Sequence, residues 1–296
     1  TSPPHVSSAA SDVYKRQEYN ASADQNILTP QDNYYNITLS ESGTKATTGN
    51  LNIDGSLIIS GTANLDVATG TDDINLAGDW TNSGTFDEGA QTVTFDGTAD
   101  QTITNTSGET FRNLTVNKAS GDVILNTSSS TSITIETLGF LTLTSGIIET
   151  TSSELITIQN NAGMLGGNAT SFIEGPLRKE GTNDFTYQVG DQGKWAPVGI
   201  DNNTNGETFT VEYVKSIPAD TSVTGGLNNV SVVEYWNIDE ATPGGESVDI
   251  KLYFKDKSFS GITDAGDLTV AHFDGADWED ISQAAIDFSD PGWIQT

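Results

Sequence analysis

Asp72 and Asp73 are adjacent carboxylates, and a pair of positioned carboxylates is what glycosidic-bond cleavage requires. Their setting, Gly70-Thr71-Asp72-Asp73, also suits a solvated turn in which Asp bonds its own backbone. Proton abstraction beside a uronic acid carboxylate would need a base. The chain has two histidines, His5 and His272, and neither is near this pair. Arg112 and Lys118 flank one rung, but a formal net charge of −29 opposes a polyanionic substrate. His272 stands two residues before Asp274, with no Gly-x-Ser-x-Gly elbow or other activated nucleophile beside it. A half-exposed strand residue is expected there. No catalytic residue is assigned.

Asp264, Asp267, Asp274, Asp277, Glu279 and Asp280 form an acidic run that could offer oxygen ligands to Ca²⁺. The spacing does not meet the D-x-[DN]-x-[DN]-G pattern, and turn chemistry explains the same residues. No metal or cofactor site is assigned, and calcium is the one ion for which donors are at hand. Of the five tryptophans, Trp236 lies among apolar residues and reads as a core anchor. Trp80, with Phe86, reads as capping a rung of a stack. Trp195 and Trp278 lie near turns and are the better candidates for stacking on a sugar; Trp293 lies at the chain's end.

The elements that must carry these residues announce themselves as a beat. The triplets Ile37-Thr38-Leu39, Leu57-Ile58-Ile59, Ile74-Asn75-Leu76, Val93-Thr94-Phe95, Leu114-Thr115-Val116, Ile133-Thr134-Ile135 and Ile156-Thr157-Ile158 recur at steps of 20, 17, 19, 21, 19 and 23 residues. A fixed period of this size signals a repeat architecture. A second beat lies between: Leu51-Asn52-Ile53, Leu65-Asp66-Val67, Phe86, Ile103, Val123-Ile124-Leu125 and Leu141-Thr142-Leu143. Alternation places two side chains of each triplet inward and one, often Thr or Asn, outward. Turn residues such as Asp54-Gly55, Asp96-Gly97 and Ser145-Gly146 separate the strands. Short strands at this repeat length predict a right-handed parallel β-helix over residues 34–176. Six to seven coils stacked at the spacing of hydrogen-bonded strands make a rod ~30 Å long.

Composition agrees. Only 18% of residues are charged, 12 Lys+Arg against 41 Asp+Glu. So acidic a chain repels nucleic acid and anionic lipid, which removes both as partners. There is no cysteine, so no disulfide and no thiolate chemistry. No apolar run is long enough to span a membrane. The first seventeen residues, TSPPHVSSAASDVYKRQ, lack an apolar h-region. They resemble translated adapter sequence at the edge of a metagenomic contig, and residues 1–33 are expected to be disordered or artefactual.

The rungs Gly78-Asp79-Trp80-Thr81-Asn82-Ser83-Gly84-Thr85-Phe86, Thr92-Val93-Thr94-Phe95-Asp96-Gly97, Gln101-Thr102-Ile103 and Thr110-Phe111-Arg112-Asn113-Leu114-Thr115-Val116 carry a resemblance. They are similar to the β-helical repeats of large exported surface proteins of Bacteroidetes-type bacteria. The resemblance covers about residues 34–174. It implies an extracellular, cell-surface location in a Gram-negative bacterium and an adhesin-like role.

Near Pro176 the texture changes. Residues 18–174 hold three cations, Lys45, Arg112 and Lys118, while 175–296 hold seven. Longer alternating strands are predicted over Phe185–Val189, Phe209–Val214, Val230–Ile238, Val248–Phe254 and Leu268–Phe273, with turns at Asn202–Gly206, Pro243-Gly244-Gly245 and Asp274-Gly275. This predicts an antiparallel, Ig-like β-sandwich over 177–296. Glu234-Tyr235-Trp236-Asn237-Ile238-Asp239 and Leu268-Thr269-Val270-Ala271-His272-Phe273-Asp274-Gly275 resemble the module that follows such β-helices in the same proteins. The resemblance implies one more strand and a sorting domain beyond Thr296, and hence a larger parent chain.

The functional expectation is an all-β, non-catalytic exported protein with a stalk or adhesion role toward an extracellular protein or glycan surface. The alternative is a carbohydrate-binding or carbohydrate-cleaving β-helix of the pectate lyase and polygalacturonase kind.

Overall fold

A computed structural model describes residues 16–30, 33–68, 72–126, 131–242, 247–254, 256–264, 266–289 and 292–296. Residues 1–15 of the expected leader, Gly70 and Thr71 before the paired aspartates, and the Pro243-Gly244-Gly245 turn lie outside them. The chain divides into two units. One runs to Ile158 and takes in Ala162–Gly166; the other holds Gln159–Asn161 and the chain from Gly167. This break precedes the expected 176/177 boundary.

The first unit is a parallel β-solenoid of about seven turns. Three ladders build it. The first stacks Arg16–Tyr19, Asn36–Leu39, Leu57–Ile59, Trp80–Asn82, Gln101–Thr104, Val123–Leu125 and Ile148–Glu149. Its inward column is Ile37, Leu57, Trp80, Ile103 and Leu125, register partners on successive turns. The second stacks Gln25–Ile27, Thr44–Thr47, Asn64–Asp66 and Thr85–Asp87. The third begins with Leu51–Ile53, Ile74–Leu76 and Thr92–Phe95. Its columns are Leu51, Ile74, Val93, Leu114 and Leu141, and Ile53, Leu76, Phe95, Val116 and Leu143. Each such side chain, closed off by the turns above and below, contributes about 1.5–3 kcal/mol by leaving water.

Higher in the stack the corner between the second and third faces is bridged by single bent strands. Glu109–Asn117 pairs with Ile133–Ser145 in two stretches, with a register break between Phe111 and Asn113. The bend falls where Leu138 takes φ 68 and Gly139 follows. A Cβ on Gly139 would collide with the Arg112 carbonyl, so the close approach of the two backbones requires glycine there. Ile156–Ile158 and Gly163–Gly166 then pair separately with the two halves of Ile133–Ser145.

The seven triplets of the opening beat are divided between ladders: residues 37–39 and 57–59 lie on the first, while 74–76, 93–95 and 114–116 lie on the third. The first and third faces share the apolar-polar-apolar pattern, so periodicity reveals the turn without its phase. Residues 16–30, expected within a disordered leader, carry the first rungs instead. Arg16–Tyr19 pairs with Asn36–Leu39, and Gln25–Ile27 with Lys45–Thr47. Backbone pairing orders them, with Ile27 as the buried anchor.

The second unit is antiparallel in most of its pairings. Leu177–Lys179, Phe209–Val214 and Tyr235–Glu240 form one ladder. Phe185–Tyr187, Val198–Asp201, Asp249–Phe254, Gly292–Gln295 and Ala285–Asp287 form a five-stranded sheet. Ile173–Glu174 pairs in parallel with Val189–Asp191. A hairpin, Val270–Phe273 with Trp278–Ser282, packs on the five-stranded sheet through Phe254, Val270 and Ile294. One helical turn, Lys257–Ser260, is capped by the Asp256 carboxylate and ended by Gly261 at φ 72. The all-β class and its order, parallel solenoid and then antiparallel sheets, are as expected.

Candidate functional site

Asp72 and Asp73 act on different neighbours. The Thr47 hydroxyl donates to Asp72 Oδ2 at 2.8 Å. The Thr92 amide, on the next turn, donates to Asp73 Oδ1 at 2.8 Å. The Asp73 amide in turn donates to Asn50 Oδ1 at 3.0 Å, one turn below. Both carboxylates therefore hold the corner of the solenoid together, through bonds between turns rather than to their own backbone.

The cations of the solenoid are also committed. Lys45 takes an inward position in the second ladder, in register with Leu65, and is fully buried. Its amine donates to the carbonyls of Ala21, Ala23 and Ser42 at 2.7–3.1 Å. Lys118, also buried, donates to Gly97 O, Ala99 O and Gln101 Oε1 at 2.7–3.0 Å. Three acceptors match the three N–H groups of an ammonium, so both lysines serve as charged plugs of a corner. Burial lowers the Lys118 amine, against the pull of Asp100, Asp122, Asp96 and Asp79. Arg112 pairs with Glu136 at 3.3 Å and donates to Thr137 O at 2.7 Å.

One buried carboxylate is a residue the sequence does not point to. Glu109 is 5% exposed. Its Oε2 accepts from Trp80 Nε1 at 2.6 Å, Asn82 Nδ2 at 3.0 Å and Asn105 Nδ2 at 3.2 Å. Trp80 packs edge-on against Phe86 and Phe111 at 5.0 and 5.4 Å. It is thus the centre of an aromatic cluster inside the stack rather than its cap. Burial raises the Glu109 carboxyl, while the Trp80, Asn82 and Asn105 bonds oppose the rise. A Glu at an outwardly polar-looking strand start gives no sequence signal of burial; only the register with buried Ile133 reveals it.

In the second unit the acidic run folds on itself. Asp264 Oδ1 accepts from the Gly266 amide, and Asp274 Oδ1 from the amides of Ala276 and Asp277. Asp280 Oδ1 accepts from the Thr269 hydroxyl and the Ser282 amide. These bonds hold Asp274 and Asp280 below the usual carboxylate range. Among the described residues, no three His, Cys, Asp or Glu side chains converge on one point. His272 is exposed, 3.8 Å from Glu279 across the hairpin.

The indoles are tied by their N–H groups. Trp195 donates to Gln188 Oε1 at 3.0 Å and Trp278 to Asp220 O at 2.8 Å. Trp236 donates to Ala196 O at 3.1 Å and lies 5.5 Å from the Tyr213 ring. Lys251 covers the Trp293 ring at 4.0 Å. Lys194 sits 4.5 Å over the Phe259 ring and pairs with Asp256 at 2.7 Å.

No family model, curated protein or solved structure matches this chain.

Proposed function

We propose that this chain is a non-catalytic protein of the cell surface of a Gram-negative bacterium, in which the solenoid serves as a stalk in adhesion to an extracellular protein or glycan surface. One observation carries the proposal: the charged groups that chemistry would need are used to hold successive turns together. Asp72 and Asp73 bind Thr47 and Thr92, and Lys45 and Lys118 plug backbone carbonyls. A stack stabilised by neighbour-on-neighbour contacts suits load bearing along its length. The adhesin-like role and export rest on the resemblance of the rungs around Trp80 and Phe111.

Two measurements test the proposal. Purified chain is incubated with polygalacturonate and a panel of neutral glycans, and products are followed by reducing ends and by unsaturated uronate. No product above the blank is expected, and turnover abolished by Asp72→Asn or Asp73→Asn overturns the non-catalytic reading. Pulling the chain by its ends should give a series of short, similar unravelling steps, as expected of a stalk; collapse at the lowest measurable force contradicts it.

A further inference from the structure

Glu109 is an anion held only by neutral donors. Trp80, Asn82 and Asn105 supply them from the first ladder and the corner after it, and its own strand supplies the Thr110 amide. The charged groups around it are mostly of its own sign. Glu88 feels Glu109, Glu136 and Asp87. Arg112, the cation on the same strand, is engaged with Glu136 at 3.3 Å. Asp79 precedes Trp80, and its carboxylate accepts from the Thr102 amide. A buried carboxylate without a countercharge keeps a desolvation cost that hydrogen bonds offset only in part.

We infer that Glu109 makes the middle of the solenoid proton-responsive: the turns that share its carboxylate are held more firmly when it is protonated, so mild acid tightens this part of the stack. The three side-chain donors converge on Oε2. The direction follows from linkage. A carboxyl raised in the folded state binds its proton at a higher pH than in the unfolded chain. Its stabilisation is complete below the unfolded value and is lost as pH rises through the folded one. Half-buried Glu88 is raised in the same sense by burial and by its acidic neighbours.

The experiment is urea unfolding of the full chain at pH 7.5, 6.5 and 5.5, for wild type, Glu109→Gln and Glu88→Gln. The wild-type midpoint should rise as pH falls. Glu109→Gln, which keeps an acceptor oxygen and loses the charge, should show a clearly smaller rise, while Glu88→Gln keeps most of it. Equal slopes in wild type and Glu109→Gln overturn the inference and assign the response to surface carboxylates. If Glu109→Gln fails to fold, the wild-type Trp80 indole N–H resonance decides, identified by its contacts to the Phe86 and Phe111 rings. It should titrate at a pH above the ordinary glutamate range; a resonance that does not move there overturns the inference.

Discussion

Lys118 Nζ donates to Gln101 Oε1 at 2.7 Å, and the same oxygen accepts the Gly97 amide at 2.8 Å. The amide nitrogen of Gln101 passes the chain of bonds downward, to Leu76 O at 2.9 Å and Gly78 O at 2.6 Å. Three consecutive turns are thus joined through two buried side chains. Lys118→Met keeps the aliphatic stem and removes three donors. Gly97 O is then orphaned in the interior, while Gln101 Oε1 keeps the Gly97 amide and Ala99 is exposed to water, so a loss of about 1–3 kcal/mol is expected in a urea titration. A loss below about 1 kcal/mol would mean that water replaces the amine and that the plug is not structural.

Trp80 separates hydrogen bonding from packing. Trp80→Phe retains a ring against Phe86 and Phe111 and removes the donor to Glu109, which should cost about 1.5–3 kcal/mol, the range for bonds to charged groups. Trp80→Ala also opens a cavity and should cost about 3–5 kcal/mol or more. Denaturant midpoints measured on both variants give the order. Equal losses would show that the indole N–H adds nothing.

The glycines supply a third contrast. A Cβ at Gly139 meets the Arg112 carbonyl in the neighbouring strand, and backbone cannot yield there. Gly193 has φ +72 with nothing within 4 Å of an added Cβ. Gly193→Ala should therefore cost only the left-handed penalty of about 1–2 kcal/mol. Gly139→Ala should cost more than that and disturb the pairing of Glu109–Asn117 with Ile133–Ser145. Circular dichroism at the strand minimum, followed through a thermal melt, distinguishes the two.

The columns were legible because apolar side chains alternate with Thr and Asn. Ile37-Thr38-Leu39 or Val93-Thr94-Phe95 can bury only one face. What stayed hidden was phase and polarity. Leu57-Ile58-Ile59 and Ile74-Asn75-Leu76 look alike and sit on different ladders, because the core presents the same demand to the first and third faces. Lys45 and Glu109 break the apolar rule from inside. Their burial depends on carbonyls and amides that only the stacked turns bring together, so no local pattern encodes it. Among the candidate residues, turn chemistry at Asp274 was readable, since Asp beside Gly favours local bonds; Asp72 and Asp73 instead bond Thr47 and Thr92 on neighbouring turns, partners that no local pattern encodes. Strand edges were less so: the predicted strand at 230–238 is observed at Tyr235–Glu240, after a long irregular segment whose Val223 bridges to Trp278.

Lys179 differs from the other buried lysines in its count of acceptors. Its amine donates to Gln159 O at 2.9 Å and Glu180 O at 2.6 Å and lies 5.6 Å from the Phe185 ring centre. Two acceptors are satisfied by a neutral amine as well as by an ammonium. Burial pushes this amine down to about 8, with Glu180 opposing. The folded chain therefore releases the proton near pH 8, while the unfolded chain keeps it up to the ordinary lysine range. Between those values the unfolded state binds more protons, so stability rises with pH. From pH 7.5 to 9.5 the urea midpoint of the wild type should gain a component that Lys179→Met lacks. Tyr187 and Tyr213, both pushed up by burial, act in the opposite sense only where unfolded tyrosines ionise, near pH ~10. Identical pH slopes in wild type and Lys179→Met below that limit would mean that Lys179 stays charged throughout, as its carbonyl partners also permit.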